Sequence, residues 1–295
     1  MWIPLILISC VFYAWTNILD SLLVKHYENH PMVLLWTQSI FSLVTLVALA
    51  IFMDFSTSWA MFFVIAGFLG YVGDYFFFRA LECTDVSVVN LAWAILTVFI
   101  AVGSFIFFGE FWNMYQWIGA VLVLGGMIFL SVIHQHITVR AISLLVLIAL
   151  FYTPFYIGQK AAFIQGAQVF PVLFWMFLGR ESCCFLVPLA VPSIRSRILS
   201  LPQRVDALYF LLAALVIALF FSAIYLGALA YDAGLASLVA VVSNVQMFMV
   251  MFFAWLLWRV LPQYASREIL SRQLVQIKLL SFAIVFVGLA FLALA

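Results

Sequence analysis

Long apolar runs broken at fairly regular intervals by short polar or turn-forming segments set the pattern of this chain, and the breaks fall at 25–31, 54–58, 82–85, 109–115, 134–140, 160–168, 192–205, 231–233 and 259–276. Between them lie apolar stretches at 2–24, 32–53, 59–81, 86–108, 115–133, 141–159, 169–191, 206–230, 234–258 and 277–295. Each is close to the roughly 20 residues that a helix needs to cross a hydrocarbon layer about 30 Å thick. Inside a bilayer no water satisfies backbone groups, so runs of this length are expected to be helical. They are too long and too continuous for the alternating strands of a barrel. The pattern therefore predicts an all-α integral membrane protein of ten transmembrane helices. The first stretch stays apolar to Val24 with no basic region ahead of it and no small-residue cleavage site, which predicts a first span rather than a cleaved signal peptide.

Composition settles the solvent. Of 295 residues, 68% are hydrophobic and 8% charged, whereas a soluble domain carries about a quarter charged residues. The ten spans leave no length for a soluble domain. A net charge of +1 gives no field that would recruit nucleic acid. Cys10, Cys83, Cys183 and Cys184 all sit in apolar stretches as small hydrophobes, so no disulfide framework is expected.

Charge is distributed unevenly among the links. Those following the odd-numbered spans carry Lys25, Arg79, Arg140, Arg195, Arg197, Arg204, Arg259, Arg267, Arg272 and Lys278, and the others carry only Lys160. This bias places the odd links in the cytoplasm and both termini outside. Around 266–278, Leu270, Leu274 and Ile277 recur at helical spacing beside Arg267 and Arg272, the pattern of a basic interfacial helix or of an ordinary basic loop.

The halves 1–138 and 139–295 correspond at a nearly constant offset. Pro31 with Trp36 recurs as Pro171 with Trp175, Ala80-Leu81 as Ala228-Leu229, and Gly126 with Phe129-Leu130 as Gly288 with Phe291-Leu292. Five spans per half is odd, so the second half enters from the opposite side and the two five-helix repeats are inverted, as in many carriers.

With these features the chain resembles the EamA-type branch of the drug/metabolite transporter superfamily. The likeness rests on the aromatic first span ending near Lys25, the prolines opening spans 2 and 7, and the Ala-Leu pairs closing spans 3 and 8. Gly109-Glu110 after span 4 and the Gly119 to Gly126 pattern in span 5 complete it. The chain departs from the family at the proline often found in spans 4 and 9, where residues near Ala94 to Thr97 and Ser243 to Gln246 stand, and at the second Gly-Glu, replaced by Trp258-Arg259. The resemblance implies cytoplasmic termini, the reverse of the charge bias. It also suggests a helix-end structural role for Glu110.

An ionisable residue inside a membrane is a functional hypothesis by default. Arg180-Glu181 lies halfway along span 7, where Arg180 would bind a substrate carboxylate or phosphate, or would pair structurally with Asp74. Asp74 shares a helical face with Tyr71, Tyr75 and Phe78, and a carboxylate in low dielectric is a candidate proton carrier. Polar positions at helical spacing occur as Tyr13, Asn17 and Asp20 in span 1 and as Asn90, Trp93 and Thr97 in span 4. Tyr152, Tyr156 and Gln159 do the same in span 6, and Ser237 and Asn244 in span 9. Each of these sets suits either interhelical hydrogen bonds or a cavity wall. The candidate binding residues are thus Arg180, Glu181, Asp74, Tyr71, Tyr75, Asn17, Asp20, Asn90, Trp93, Tyr152, Tyr156 and Asn244. His26, His30, His134 and His136 lie in links and are expected to be solvated rather than metal ligands.

No HExxH, GxSxG or Walker sequence is present, and Gly73-Asp74 with Tyr231-Asp232 is a poor and reversed match to an aspartyl protease pair, so an enzyme is not expected. The expectation is an alternating-access secondary transporter in the cell membrane, an exporter or exchanger of a small polar organic metabolite such as an amino acid. A flippase for a lipid or lipid-linked sugar is the alternative. The expected partners are the small-molecule substrate, the lipid bilayer, a coupling proton and a second copy of the chain in a homodimer, with no cofactor and no nucleic acid.

Overall fold

A computed structural model of the chain describes residues 2–28, 30–52, 59–83, 89, 91–134, 139–260, 280–281, 283–284, 286–288 and 291. Its helices are α1 (Trp2–His26), α2 (Pro31–Phe52), α3 (Ala60–Cys83), α4 (Leu91–Phe108), α5 (Met114–His134), α6 (Val139–Ile164) and α7 (Val169–Ala190). There follow α8 (Pro192–Leu199), α9 (Leu201–Arg204), α10 (Ala207–Ala233), α11 (Ala236–Ser243) and α12 (Gln246–Val260). No strand occurs among the described residues.

Seven stretches are long and apolar enough to cross a membrane: α1, α2, α3, α6, α7, α10 and Ala236–Leu257, which takes in α11 and the first part of α12. The shorter apolar helices Ala92–Phe108 and Met114–Gly126 accompany them. Val44, Val47, Ile51, Ile65, Val102 and Leu211 stand exposed on the outer face. Apolar side chains facing outward along so many long helices are the mark of a lipid-facing surface, so this is a membrane protein of several spans.

Three expectations change. The break placed at 160–168 begins later, because α6 runs on to Ile164 and buries Lys160 inside the bundle. Gly166, at φ +82°, takes the left-handed turn that ends it, with the Ala167 amide donating to the Ala162 carbonyl at 3.0 Å. The link at 192–205 is not irregular: Pro192 opens α8, whose Ile194 and Ile198 are buried while Arg195 faces out. The ninth stretch is not one continuous helix. It is broken at Asn244-Val245, where amides bond carbonyls three residues back, as from Asn244 to Val241 (3.2 Å) and from Val245 to Val242 (3.1 Å). The expected tenth stretch and the basic segment at 266–278 lie largely or wholly outside the described residues.

Packing is organised by two long partnerships: α1 runs along α10, and α3 lies against both α6 and α7. The α3–α7 crossing is backbone on backbone. A side-chain carbon added at Gly67 would collide with the Met176 carbonyl, and one at Gly179 with the Val64 carbonyl. Small residues at such crossings let membrane helices approach closely and gain dispersion energy. Two apolar clusters result, one with Phe63, Phe177, Leu173 and Val239, the other with Leu23, Leu34, Leu81 and Tyr209. Trp93 and Tyr152 pack against both.

Each end of the bundle is tied by a glutamate. At one end Glu28, buried between α1 and α2, holds Arg197 at 2.9 Å and Arg204 at 3.0 Å. At the other, Glu110 accepts from the Ala236 and Ser237 amides, at 3.1 and 3.2 Å, and from the Ser237 hydroxyl at 2.6 Å. Glu110 thereby caps α11, a helix-end role of the kind suggested by the family resemblance. Beside it the Lys160 ammonium donates to the carbonyls of Tyr231 (3.0 Å) and Gly234 (2.7 Å) at the C-terminal end of α10.

Candidate functional site

Where the two apolar clusters meet, α1, α3, α6, α7 and α10 enclose a cavity with about 800 Å³ of empty volume, part of it open to solvent. Helical spacing supplies its walls. Tyr13, Thr16, Asn17 and Asp20 come from one face of α1, and Tyr152, Phe155 and Tyr156 from one face of α6. Asp74, Phe77 and Phe78 come from α3, Arg180 from α7 and Phe220 from α10, while α2 adds Gln38 and α4 adds Trp93.

Its charged centre is built from three helices. Arg180 donates from Nε to Asp74 Oδ2 at 2.5 Å and from Nη1 to Glu181, while the Tyr152 hydroxyl donates to the other oxygen of Asp74. Gly73 makes room for this contact, since a side-chain carbon there would lie 2.9 Å from the Tyr152 ring. The guanidinium carbon stands 4.9 Å from the centre of the Phe220 ring, a cation–π contact. Both the cavity and the ion-pair expectations for Arg180 and Asp74 describe this one arrangement: the pair is formed, and it lines the cavity.

A third carboxylate, Asp20, is buried on α1 and accepts from Gln38 Nε2 at 2.7 Å. Asp20, Asp74 and Glu181 together with one guanidinium leave an excess of two negative charges when all are ionised. In a low dielectric such an excess is costly and calls for a cation or a proton.

The structure thus brings seven candidates to the cavity wall: Asn17, Asp20, Asp74, Trp93, Tyr152, Tyr156 and Arg180. Glu181 lies beneath, holding Arg180. Tyr71 and Tyr75 do not line it, although they are spaced with Asp74. The inward face of α3 runs instead through Gly67, Gly70, Asp74, Phe77 and Phe78, which turns Tyr71 into the second apolar cluster and Tyr75 against Phe76. Asn244 is also elsewhere, at the break between α11 and α12, donating to Thr97 at 2.8 Å. Asn90 lies outside the described residues. Gln38 was missed, and its signal was present: an amide in the middle of an otherwise apolar run. No group of three or more His, Cys, Asp or Glu with the makings of a metal site occurs among the described residues.

Beyond the aromatic side chains of Tyr13, Trp93, Phe155 and Tyr156 lies a second chamber with about 600 Å³ of empty volume, part of it open to solvent, whose wall includes Thr97, Gln159, Tyr231, Ser243 and Gln246. Tyr13 and Tyr156 line both chambers at the boundary. On the outer surface an apolar groove runs between α3, α4 and α6, lined by Trp59, Phe62, Gly103, Phe107 and Ile157.

Residues 1–132 match the model of the EamA-like transporter family. No curated protein matches the chain. Among solved structures 27 chains match. One, a crystal structure titled only as that of a protein, is 17% identical with a TM-score of 0.68. The match covers 99% of this chain and 96% of that one, a likeness of fold over the whole length.

Proposed function

On the premise that residues 1–132 form an EamA-like transporter half, of the drug/metabolite transporter superfamily, we propose that the chain is a secondary transporter of small zwitterionic metabolites, amino acids foremost. It would work by alternating access, with two inverted five-helix repeats rocking about the central cavity. Members of the family are transporters, not enzymes. The observation that carries the substrate class is the charge balance of the cavity: three buried carboxylates around one arginine.

An ammonium group placed between Asp20 and Asp74 neutralises one of the two excess charges at the point where the carboxylates are concentrated. Nη2, the end of the Arg180 fork that bonds neither Asp74 nor Glu181, is the donor left for a carboxylate. Tyr13, Trp93, Tyr156 and Phe220 supply walls for an organic body. When the ammonium leaves, a proton on Asp20 or Asp74 takes the place of its charge. Solute and proton therefore compete for the same charge, and the transport cycle is an exchange of one for the other. The apolar groove on the outer surface shares no lining residue with this cavity, which favours a water-soluble solute over a lipid.

The test is counterflow in proteoliposomes preloaded with a mixture of the twenty amino acids and presented with the same mixture carrying a radiolabel. Saturable uptake is expected above protein-free vesicles, and Arg180→Ala and Asp74→Asn should each lower it by about tenfold or more, equivalent to about 1.4 kcal/mol. Uptake unchanged in both variants would refute the site. Transfer of a labelled lipid without any amino-acid uptake would refute the solute class.

A further inference from the structure

We infer that the second chamber is a separate binding station on the transport route, one that takes a hydrogen-bond-accepting group of the solute, a carboxylate or carbonyl, without using charge. This rests on the transport reading of the central cavity. The first support is position. The two chambers share Tyr13, Trp93, Phe155, Tyr156 and Ile224 as a common wall, so a solute leaving the charged site toward the Glu110 end passes this partition first. Lys160 and Glu110, clamping the corner between α10 and α11, stand at that same end.

The second support is unspent hydrogen-bonding capacity. Gln159 is 1% and Gln246 6% exposed, and both line the chamber. Neither Nε2 has a partner among the described residues. Buried amides are nearly always satisfied, and leaving one unpaired costs about 1–3 kcal/mol. Two such amides, from α6 and α12, belong to residues on the wall of one chamber and each has an unspent donor, the elements of a neutral receptor for an oxygen acceptor. Gln246 owes its position to the break in the ninth stretch. There the Ala240 carbonyl, released from the helical ladder, accepts instead from Thr97 (3.0 Å) and Asn244 (3.1 Å). Interrupted helices of this kind commonly place solute sites in carriers.

A neutral station beside a charged one has a kinetic use. A solute held only by ion pairs leaves slowly, and an intermediate partner that replaces its hydration without matching charge lowers the step between cavity and water.

The test compares wild type with Gln159→Leu/Gln246→Leu in two measurements on the full chain: equilibrium binding of the radiolabelled amino-acid mixture in detergent, and counterflow in proteoliposomes. Binding within about twofold of wild type with counterflow reduced by about tenfold is the expected split. Unchanged counterflow, or binding and counterflow falling together, would overturn the proposal. If the double variant fails to fold, Gln159→Met and Gln246→Met singly carry the same comparison. A second measurement does not depend on the solute. In a chain whose native cysteines are replaced by alanine, Gly227→Cys adds a thiol to the chamber wall, where the nearest side-chain atom to the new carbon is Ser9 Oγ at 3.5 Å. Labelling of that thiol by 2-sulfonatoethyl methanethiosulfonate is expected if the chamber is reached from water, and no labelling overturns it. A labelled thiol in a protein with no amino-acid counterflow would instead sink the proposed solute class and leave the chamber standing.

Discussion

The two ends of the bundle are each fastened by one glutamate, and the fastenings differ in kind. At the Glu28 end a carboxylate holds Arg197 and Arg204, whose side chains are each 38% exposed. At the Glu110 end the partners are the two amides that open α11 and the Ser237 hydroxyl, with Lys160 answering on the carbonyls that close α10. Exposed arginines have water as an alternative partner and are screened by salt; buried helix ends have neither recourse. Opening the Glu28 end therefore lets two arginines return to water, whereas opening the Glu110 end costs the caps of two helices at once.

The largest effect expected from breaking this comparison is that of Lys160→Met, which strips two carbonyls of a charged donor and should lower stability by about 2–3 kcal/mol, read as the midpoint of thermal unfolding in detergent. Glu110→Ala comes next at about 1–2 kcal/mol, the usual loss on removing an N-cap, with amide exchange of Ala236 and Ser237 accelerating in the same sample. Smallest is Glu28→Gln, at about 1 kcal/mol in 0.1 M salt. Its deficit should shrink in 1 M salt, where the screening length falls from about 10 Å to about 3 Å, while the deficits of the other two stay as they are. Equal salt dependence at both ends would show the fastenings to be alike.

Much of the architecture was legible because the bilayer makes one demand everywhere. Apolar length alone marked the helices, and helical spacing alone put Tyr13, Asn17 and Asp20 on a common wall. What escaped depended on partners far off in sequence. Lys160 reads as a loop residue because a buried lysine is improbable until the carbonyls of Tyr231 and Gly234 are known to await it. The interruption at Asn244-Val245 carries no glycine or proline; it is held open by Thr97, a residue on another helix. The face of α3 was misjudged by one register because aromatic tyrosines suggested a cavity wall, whereas the close crossing at Gly67 fixes which side turns inward.

That crossing also sets what can move. Gly67 and Gly179 bring two helix backbones together with no side chain between them, at the middle of α7 and beside Arg180. In the alternating-access cycle proposed above, such a contact would be the fulcrum. A tilt of about 10° about it swings either end of α7, about 15 Å away, by about 3 Å. The guanidinium at the pivot barely shifts. In that cycle the charged centre would be the still point of a seesaw, with one arginine serving both faces of the membrane without letting go of its carboxylates.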